Sequence, residues 1–161
     1  MIRTIALILA SISFIVVIGG AVYEHLGVVP VWSAALPASL AMYQGEYRLA
    51  AENFWIPIHP IAILLLTVAL LLNWTTGRRY YVLATLLGYA AVLLTTFIYF
   101  VPELMSLTQS AYSTTVNSEL TSRANTWETL SLVRLGFLIC LAVVLLLGLS
   151  KNESPRVAGL K

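Results

Sequence analysis

The chain contains only two histidines, and each lies at the edge of an apolar stretch. His25 follows Glu24 at the end of the first apolar run, and His59 lies about one turn inside the second. Imidazole and carboxylate groups suit iron, copper and zinc, so His25, His59 and Glu24 are candidate metal ligands. The same imidazoles are candidate acid–base groups. No His-x-x-His or Glu-x-x-His spacing is present, so either chemistry requires the fold to bring these groups together.

Arg134 is the one basic residue that the fourth apolar run must carry into the membrane. A guanidinium within a bilayer is costly unless it is paired. The predicted partner is a glutamate at the same end of the bundle, namely Glu24, Glu103 or Glu128. An equal alternative is that Arg134 holds an oxygen of a substrate. We therefore take His59, Arg134 and Glu128 as the candidate catalytic residues.

Several of these residues also have a purely structural interpretation. Glu24 and His25 could be interfacial groups whose polar ends reach the lipid headgroups. His59 could bond a backbone carbonyl that one of the neighbouring prolines has left without its helical partner. The segment from Asn125 to Glu128 has the pattern of a helix N-cap followed by a capping-box acid, which predicts a structural role for Glu128.

Aromatic side chains accompany the polar groups at the same ends of the apolar runs. The residues predicted to line a substrate pocket are Trp32, Trp55, Trp127 and Tyr23. Tryptophan and tyrosine are also enriched where membrane proteins cross the lipid–water interface. An interfacial belt is therefore the alternative interpretation of this group.

The composition requires that membrane helices position these residues. Of the 161 residues, 60% are hydrophobic and only 10% are charged, whereas about a quarter of the residues in a soluble domain are charged. This excludes a soluble globular domain and a disordered chain, and a net charge of +2 argues against nucleic-acid binding. Four apolar runs predict spans at about 4–25, 54–74, 80–102 and 127–150, each helical because lipid offers the backbone no hydrogen-bond partner. The predicted fold is an all-α integral-membrane four-helix bundle that forms a single domain over residues 1–161.

The basic residues favour one orientation in the membrane. Six of the nine lie at the end of the bundle that holds both termini, namely Arg3, Arg78, Arg79, Lys151, Arg156 and Lys161. By the positive-inside rule, both termini are predicted to be cytoplasmic, in a multi-pass protein of the cytoplasmic membrane. The long connections 26–53 and 103–126 are then outside. The first apolar run is longer than that of a usual signal peptide and is predicted to be retained.

Three local features predict how the bundle is completed. Ser39 is placed to begin a short interfacial helix in the first outer connection. The polar segment 104–124 is predicted to extend the third helix outward before the chain turns back. Gly19, Gly20 and Gly88 are predicted to let helices approach closely.

Short motifs in this chain form a pattern found in a known family. They are Val22-Tyr23-Glu24-His25 followed by Val29-Pro30-Val31-Trp32, then Phe54-Trp55, and finally Trp127-Glu128-Thr129-Leu130 followed by Leu132-Val133-Arg134. In these features the chain resembles the anthrone-oxygenase-like (DUF1772) family of small four-helix integral membrane proteins. The resemblance covers nearly the whole chain. Many members carry a histidine just before the arginine, where this chain has Leu132 and Val133.

The resemblance implies an oxidoreductase or oxygenase that acts on a hydrophobic aromatic or quinone-like compound, since some relatives are linked to the oxidation of anthrones to quinones by O2. Arg134 would then position an oxygen of the substrate, and His25 or His59 would accept a proton. Two alternatives remain open. The chain could bind a metal such as iron or copper, or a haem, without its own catalysis. It could also be a non-catalytic subunit, in a homo-oligomer or a larger membrane complex.

Overall fold

The computed structural model describes residues 1–151, and the regular elements in this part of the chain are all helical. Four long helices account for most of it: α1 (Ile2–Ser33), α2 (Glu52–Leu72), α3 (Arg79–Thr108) and α4 (Ser118–Leu149). Each is long and apolar enough to cross a membrane. This confirms the prediction of an all-helical chain with four helices able to span a membrane. The basic residues Arg156 and Lys161, which supported the predicted orientation, lie outside the described residues.

Two of the helices continue outward beyond the predicted spans through a wider turn. A π-helical turn at Glu24–Val28 carries α1 on to Ser33, and another at Thr96–Phe100 carries α3 on to Thr108. The continuation of α3 into the polar segment agrees with the prediction. The helices are longer than the predicted spans because the apolar run gives only the part of a helix that lipid covers. Polar residues beyond the lipid can continue the same helix.

The fourth helix begins earlier than the capping pattern at Asn125 predicts. Its N-cap is Asn117, whose side-chain oxygen accepts the backbone N–H groups of Glu119 and Leu120 at 2.9 and 3.2 Å. An asparagine in extended backbone satisfies these otherwise unpaired N–H groups well. Asn125 and Glu128 therefore lie within α4, and the capping-box interpretation of Glu128 is wrong.

The connection between α1 and α2 contains a short 3₁₀-helix at Ala38–Tyr43, where the sequence predicts a helix beginning near Ser39. The Ser39 hydroxyl donates to the carbonyl of Trp32 and accepts the backbone N–H of Ala35 at 3.2 Å. Leu40 is fully buried. Ser39 therefore ties this segment back to the end of α1 instead of capping a longer helix.

The four helices form a closed antiparallel bundle. α1 packs against α2 and α4, α3 packs against α4, and the contact between α2 and α3 is the least extensive of the four neighbouring pairs. We call the end with the two long connections the outer end, and the end with the short α2–α3 turn the inner end. The inner apolar cluster is centred on Leu7, Phe14, Leu66, Val82, Tyr89 and Leu145. The outer apolar cluster is Val28, Val29, Trp32, Leu36, Leu40, Phe100, Leu107, Ala124 and Trp127.

Arg78 is buried at the inner end, although the sequence indicates only a basic residue in a short loop. Its side chain is 6% exposed. Nε donates to the carbonyl of Lys151 at 2.8 Å, Nη2 donates to that of Leu149 at 3.3 Å, and Nη1 donates to the Thr4 hydroxyl at 3.0 Å. A cation at the carboxyl end of a helix also interacts favourably with the helix dipole. Arg78 therefore joins the α2–α3 turn to the inner ends of α1 and α4.

Close helix approaches occur at two of the three glycines predicted to allow them. A Cβ added at Gly20 would meet the ring of Phe54, and one added at Gly88 would lie 2.7 Å from Leu141. A Cβ added at Gly19 would meet nothing within 4 Å. Packing therefore restricts Gly20 and Gly88 but not Gly19.

At Gly148 the neighbouring atom cannot move aside by side-chain rotation, because an added Cβ would lie 2.7 Å from the Cβ of Tyr81, an atom held by the α3 backbone. We expect Gly148→Ala to lower the free energy of unfolding by about 1–3 kcal/mol, the usual cost of overpacking. The matched control is Gly136→Ala in the same helix, where an added Cβ meets nothing within 4 Å. Alanine is the better helix former by up to about 1 kcal/mol, so the control should be neutral or stabilising. Denaturant unfolding in detergent micelles measures both, and equal effects would contradict this packing.

Candidate functional site

Polar side chains from all four helices lie where the inner apolar cluster gives way to the outer one, and Tyr89 of the inner cluster is among them. On α1 they lie between Ala21 and Val28, and on α3 they include the position between Val92 and Phe100. We call this set the polar layer, and its members are Glu24 and His25 of α1, Trp55 and His59 of α2, Tyr89 and Thr96 of α3, and Ser131 and Arg134 of α4. The fold therefore brings together the predicted residues Glu24, Trp55, His59 and Arg134.

Trp55 joins α2 to α1 within the polar layer. Its indole Nε1 donates to Glu24 Oε1 at 2.7 Å. Its ring stacks on the imidazole of His59, with the centroids 5.3 Å apart and the planes 21° from parallel. An indole N–H can only donate, so the bond uses the Glu24 carboxyl as acceptor. Glu24 is thus turned into the bundle and does not serve only as an interfacial group.

His59 bonds a hydroxyl of the neighbouring helix. Its Nδ1 lies 2.7 Å from the phenolic oxygen of Tyr89, which is fully buried and packs edge-on against Phe14 at a centroid distance of 5.0 Å. In the structure, His59 therefore bonds Tyr89 and not a backbone carbonyl left unpaired by a proline. When Nδ1–H donates to Tyr89, the Nε2 atom of His59 carries a lone pair and can accept a proton.

Arg134 donates to hydroxyl groups of two helices. Nη1 donates to Thr96 Oγ1 at 3.0 Å and Nη2 donates to Ser131 Oγ at 2.8 Å. The guanidinium carbon lies 4.0 Å from the centroid of the Phe100 ring, a cation–π contact that favours the charged side chain. These neutral groups hold the guanidinium in place without neutralising its charge.

None of the three predicted carboxylates forms a direct ion pair with Arg134 among residues 1–151. Glu103 instead receives two hydrogen bonds from Arg123, each 2.8 Å long. Glu128 is bonded elsewhere. Glu24 interacts with Arg134 electrostatically, but only at longer range. The predicted ion pair is therefore not formed, because the carboxyl groups are bonded to other side chains.

His25 lies on the buried face of α1, in the same wide turn as Glu24. Its side chain is 9% exposed, and its Nδ1 lies 2.8 Å from the carbonyl oxygen of Ala21. Its Nε2 is buried without a hydrogen-bond partner in the described part of the chain. His25 therefore belongs to the bundle interior and not to the lipid headgroup region.

The predicted metal set of Glu24, His25 and His59 does not assemble. Within residues 1–151, no group of three or more His, Cys, Asp or Glu side chains could hold a metal ion. One atom of each predicted ligand is already bonded, to Trp55, to Ala21 and to Tyr89 respectively. The geometry therefore gives no support to the predicted iron, copper or haem site.

Trp32 and Trp127 lie in the outer apolar cluster, beyond the polar layer. Their rings meet edge-on at 5.7 Å, and Trp127 Nε1 donates to the carbonyl of Phe100 at 2.9 Å. Tyr23 is 69% exposed and lies on the outside of the bundle. Of the four aromatic residues predicted to line a substrate pocket, only Trp55 belongs to the polar layer.

Glu128 joins α4 to the end of α1. It is half-buried, and its Oε2 accepts a hydrogen bond from the Ser33 hydroxyl at 3.3 Å. Both residues lie beside the outer apolar cluster. This contact holds two helices together at the outer end. Among the described residues, Glu128 forms no hydrogen bond with the other predicted catalytic residues, His59 and Arg134.

The 3₁₀-helix at Ala38–Tyr43 packs on the outer apolar cluster and places the phenol of Tyr43 within electrostatic range of Glu24. The ring of Tyr43 meets that of Trp32 edge-on at 6.4 Å. Burial, together with the negative charges of Glu24 and Glu52, raises the pKa of Tyr43 to about 12. Tyr43 is therefore a neutral hydroxyl at physiological pH and covers the outer cluster as an uncharged group.

Sequence reasoning missed Tyr89, Thr96 and Ser131. Tyr89 carries a usable signal, because it lies near the middle of an apolar run whereas membrane tyrosines concentrate at the interfaces. Thr96 and Ser131 carry little signal, since membrane helices often contain hydroxyl side chains bonded to their own backbone. Thr96 does make such a bond, donating to the carbonyl of Val92 at 2.7 Å.

A surface hollow of about 540 Å³ lies at the outer end, away from the polar layer. It is lined mainly by the connection between α3 and α4, including Ser110 and Val116, and also by Leu120 at the start of α4. None of its lining residues belongs to the polar layer.

Comparisons with known protein families, curated proteins and solved structures find no match to this chain.

Proposed function

We propose that the protein is an integral-membrane oxidoreductase of the oxygenase type, which acts on a hydrophobic aromatic or quinone-like compound at the polar layer. One observation carries the proposal. Glu24 and Arg134 come from opposite ends of the chain, are largely enclosed by the bundle and interact electrostatically without a direct ion pair. The His59–Tyr89 pair belongs to the same layer. A cation, a carboxyl and an imidazole are thus available to a ligand oxygen and to its protons.

The proposed roles follow from what each group can donate or accept. Arg134 donates hydrogen bonds to the substrate oxygen and stabilises negative charge there, an effect that is strong where water is excluded. His59 accepts the proton through Nε2 while Nδ1–H donates to Tyr89. For an anthrone, the proton passes from the ring methylene to His59, and the electron pair spreads to the carbonyl oxygen bound by Arg134. The resulting carbanion reduces O2 and binds it at the same carbon. Loss of one water then leaves the second carbonyl of the quinone, so that anthrone and O2 give anthraquinone and water.

The bundle suggests how a lipid-soluble compound would reach this layer. The contact between α2 and α3 is the least extensive in the bundle, and the His59–Tyr89 bond lies across it. A flat aromatic compound dissolved in the bilayer would pass between these helices and stack beside Trp55. No route through water is then needed.

The proposed orientation places both termini in the cytoplasm and the polar layer in the outer half of the cytoplasmic membrane. It rests on the distribution of the basic residues over the two ends of the bundle. The 3₁₀-helix at Ala38–Tyr43 would then lie at the outer interface.

The test is turnover of anthrone by purified protein in lipid nanodiscs, followed by oxygen uptake and anthraquinone absorbance. We expect His59→Gln to lower the rate about 10²–10⁴-fold, the range for loss of an acid–base group. Tyr89→Phe should lower it less, since it removes only the bond that orients the imidazole. Tyr81→Phe, in the same helix but outside the polar layer, is the matched control. Full activity of His59→Gln would contradict its role. No turnover or binding by the wild type would favour the alternative of a non-catalytic subunit.

A further inference from the structure

The two arginines that lie beyond the polar layer at the outer end each pair with a carboxylate. Arg48 bonds Glu52, and Arg123 bonds Glu103 at 2.8 Å. The positive charge of both side chains is therefore neutralised within the protein. These pairs give the standard against which the basic side chains of the inner end can be compared.

Three basic side chains at the inner end have no such partner in the described part of the chain. Arg3, Arg79 and Lys151 form no ion pair with any glutamate of residues 1–151. The glutamates of this part of the chain lie in the polar layer or at the outer end, and the chain has no aspartate. The inner end therefore presents cations whose charge these residues leave unbalanced.

Arg79 is held in place by uncharged groups. Its Nη1 donates to the carbonyl of Trp74 at 3.3 Å, and its Nη2 donates to the hydroxyl of Tyr80 at 2.6 Å. The guanidinium carbon lies 4.6 Å from the centroid of the Tyr80 ring. A guanidinium has five N–H groups, so these two bonds leave donors for another acceptor. A positioned guanidinium with spare donors suits phosphate oxygens, which its planar fork can bind in pairs.

The surroundings of Arg79 are typical of the level of the lipid headgroups. Trp74 follows the end of α2 and Tyr80 lies in the first turn of α3, and both rings are half-exposed. Tryptophan and tyrosine favour this interface because one part of each ring system is apolar and another is polar. Leu71, in the last turn of α2, is also exposed. An acyl chain can therefore lie on apolar surface beside the guanidinium.

The other two cations are fixed to the turn between α2 and α3. Asn73 Nδ2 donates to the carbonyl of Arg3 at 3.2 Å, and Arg78 Nε donates to that of Lys151 at 2.8 Å. Basic residues attract anionic lipid over a distance of about 8–10 Å at physiological salt. Arg3 and Lys151 therefore add to the positive potential at this end of the bundle.

We infer that Arg79, with Trp74 and Tyr80, binds the phosphate of an anionic phospholipid at the inner end, and that Arg3 and Lys151 strengthen the attraction. The bound molecule is a lipid and not a soluble anion, because the guanidinium lies between interfacial aromatic rings and exposed apolar side chains. The inference is independent of the proposed reaction, which uses residues of the polar layer.

The test uses the full chain in phosphatidylcholine nanodiscs doped with either phosphatidylglycerol or phosphatidylcholine that carries bromine on its acyl chains. Bromine quenches nearby indoles. Trp74 reports on the site, since the other three tryptophans lie in the polar layer or the outer apolar cluster. We expect brominated phosphatidylglycerol to quench more strongly, with about tenfold preference over phosphatidylcholine at the site. In Trp74→Phe the two lipids should quench equally.

Arg79→Gln should lower the lipid preference about fivefold, the change that one basic residue near an anionic lipid makes. This variant should fold, because the lost bonds are exposed. Arg123→Gln, which removes an arginine paired at the outer end, is the matched control and should keep the full preference. Equal quenching by the two lipids in the wild type, or an unchanged preference in Arg79→Gln, would overturn the inference.

A competition arm separates the lipid from a soluble source of phosphate. Inorganic phosphate, added at constant ionic strength in exchange for chloride, should leave the quenching of Trp74 by brominated phosphatidylglycerol unchanged. Loss of that quenching would assign the site to a soluble anion and overturn the assignment to lipid. Turnover of anthrone does not enter any of these measurements, so the proposed function stands or fails separately.

Discussion

Replacing Arg134 with glutamine should lower the rate of anthrone oxidation by about 10²–10³-fold, the usual effect of losing one donor to a developing oxyanion. The guanidinium is held by Thr96 and Ser131, and its charge is not neutralised by an ion pair in the described part of the chain. Glutamine can still donate, but it has no charge to stabilise the negative oxygen. Oxygen uptake by the variant and the wild type in nanodiscs, at saturating anthrone, measures the difference.

The same substitution should change stability little. Removing an unpaired charge from the bundle interior also removes the free-energy cost of taking that charge out of water. Thr96 keeps a hydrogen bond to its own helix. Arg123→Gln is the control, since it lies in the same helix but bonds Glu103 at the outer end. That pair is partly exposed, so its loss should cost at most about 1 kcal/mol and leave the rate unchanged. Normal turnover in Arg134→Gln, or equal losses in both variants, would refute the role of Arg134.

Arg78→Ala should cause the largest loss in the free energy of unfolding, about 3 kcal/mol. Each hydrogen bond from a charged group contributes about 1.5–3 kcal/mol. The total stays near 3 kcal/mol because some of the released carbonyls bond water in the variant. The variant leaves the carbonyls of Leu149 and Lys151 without this donor and separates Thr4 from the α2–α3 turn. The measurement is denaturant unfolding in detergent micelles.

Two further variants separate charge from geometry at this position. Arg79→Ala is the matched control, because the Arg79 guanidinium forms only exposed hydrogen bonds, to the Trp74 carbonyl and the Tyr80 hydroxyl. These bonds should contribute little to the free energy of unfolding. Arg78→Lys keeps the charge but lacks the planar fork of donors, so it should restore only part of the lost stability. Comparable unfolding of Arg78→Ala and Arg79→Ala would show that the buried contacts are not what stabilises the inner end.

Much of the architecture can be predicted from the sequence because it depends on the local composition of each segment. Lipid requires about 20 consecutive apolar residues for a helical span. Three such runs, and a shorter fourth run extended back past Arg134, predict the four long helices found in the described residues. The ends of the helices are less predictable. Asn117 and Asn125 carry the same side chain, and Asn117 becomes the cap because the chain is extended there.

The candidate site could be predicted in part. Glu24, His59 and Arg134 stand out because polar groups at the edges of apolar runs are expensive and few. Their depth follows from their place along each span, so their assembly into one layer is foreseeable. Tyr89 could be added on the same grounds, whereas Thr96 and Ser131 resemble ordinary hydroxyl groups of membrane helices.

The number of spans, their apolar length and the scarcity of chemically active side chains follow from the order of residues alone, because water and lipid act on each segment separately. The partners of those side chains depend on how each helix is rotated and which helix lies beside it. That is why Glu24 bonds Trp55 instead of Arg134, why Arg78 is buried, and why Nε2 of His25 has no hydrogen-bond partner among the described residues. Rotation and neighbour order arise from side-chain packing across the whole bundle, so they emerge when the four helices come together.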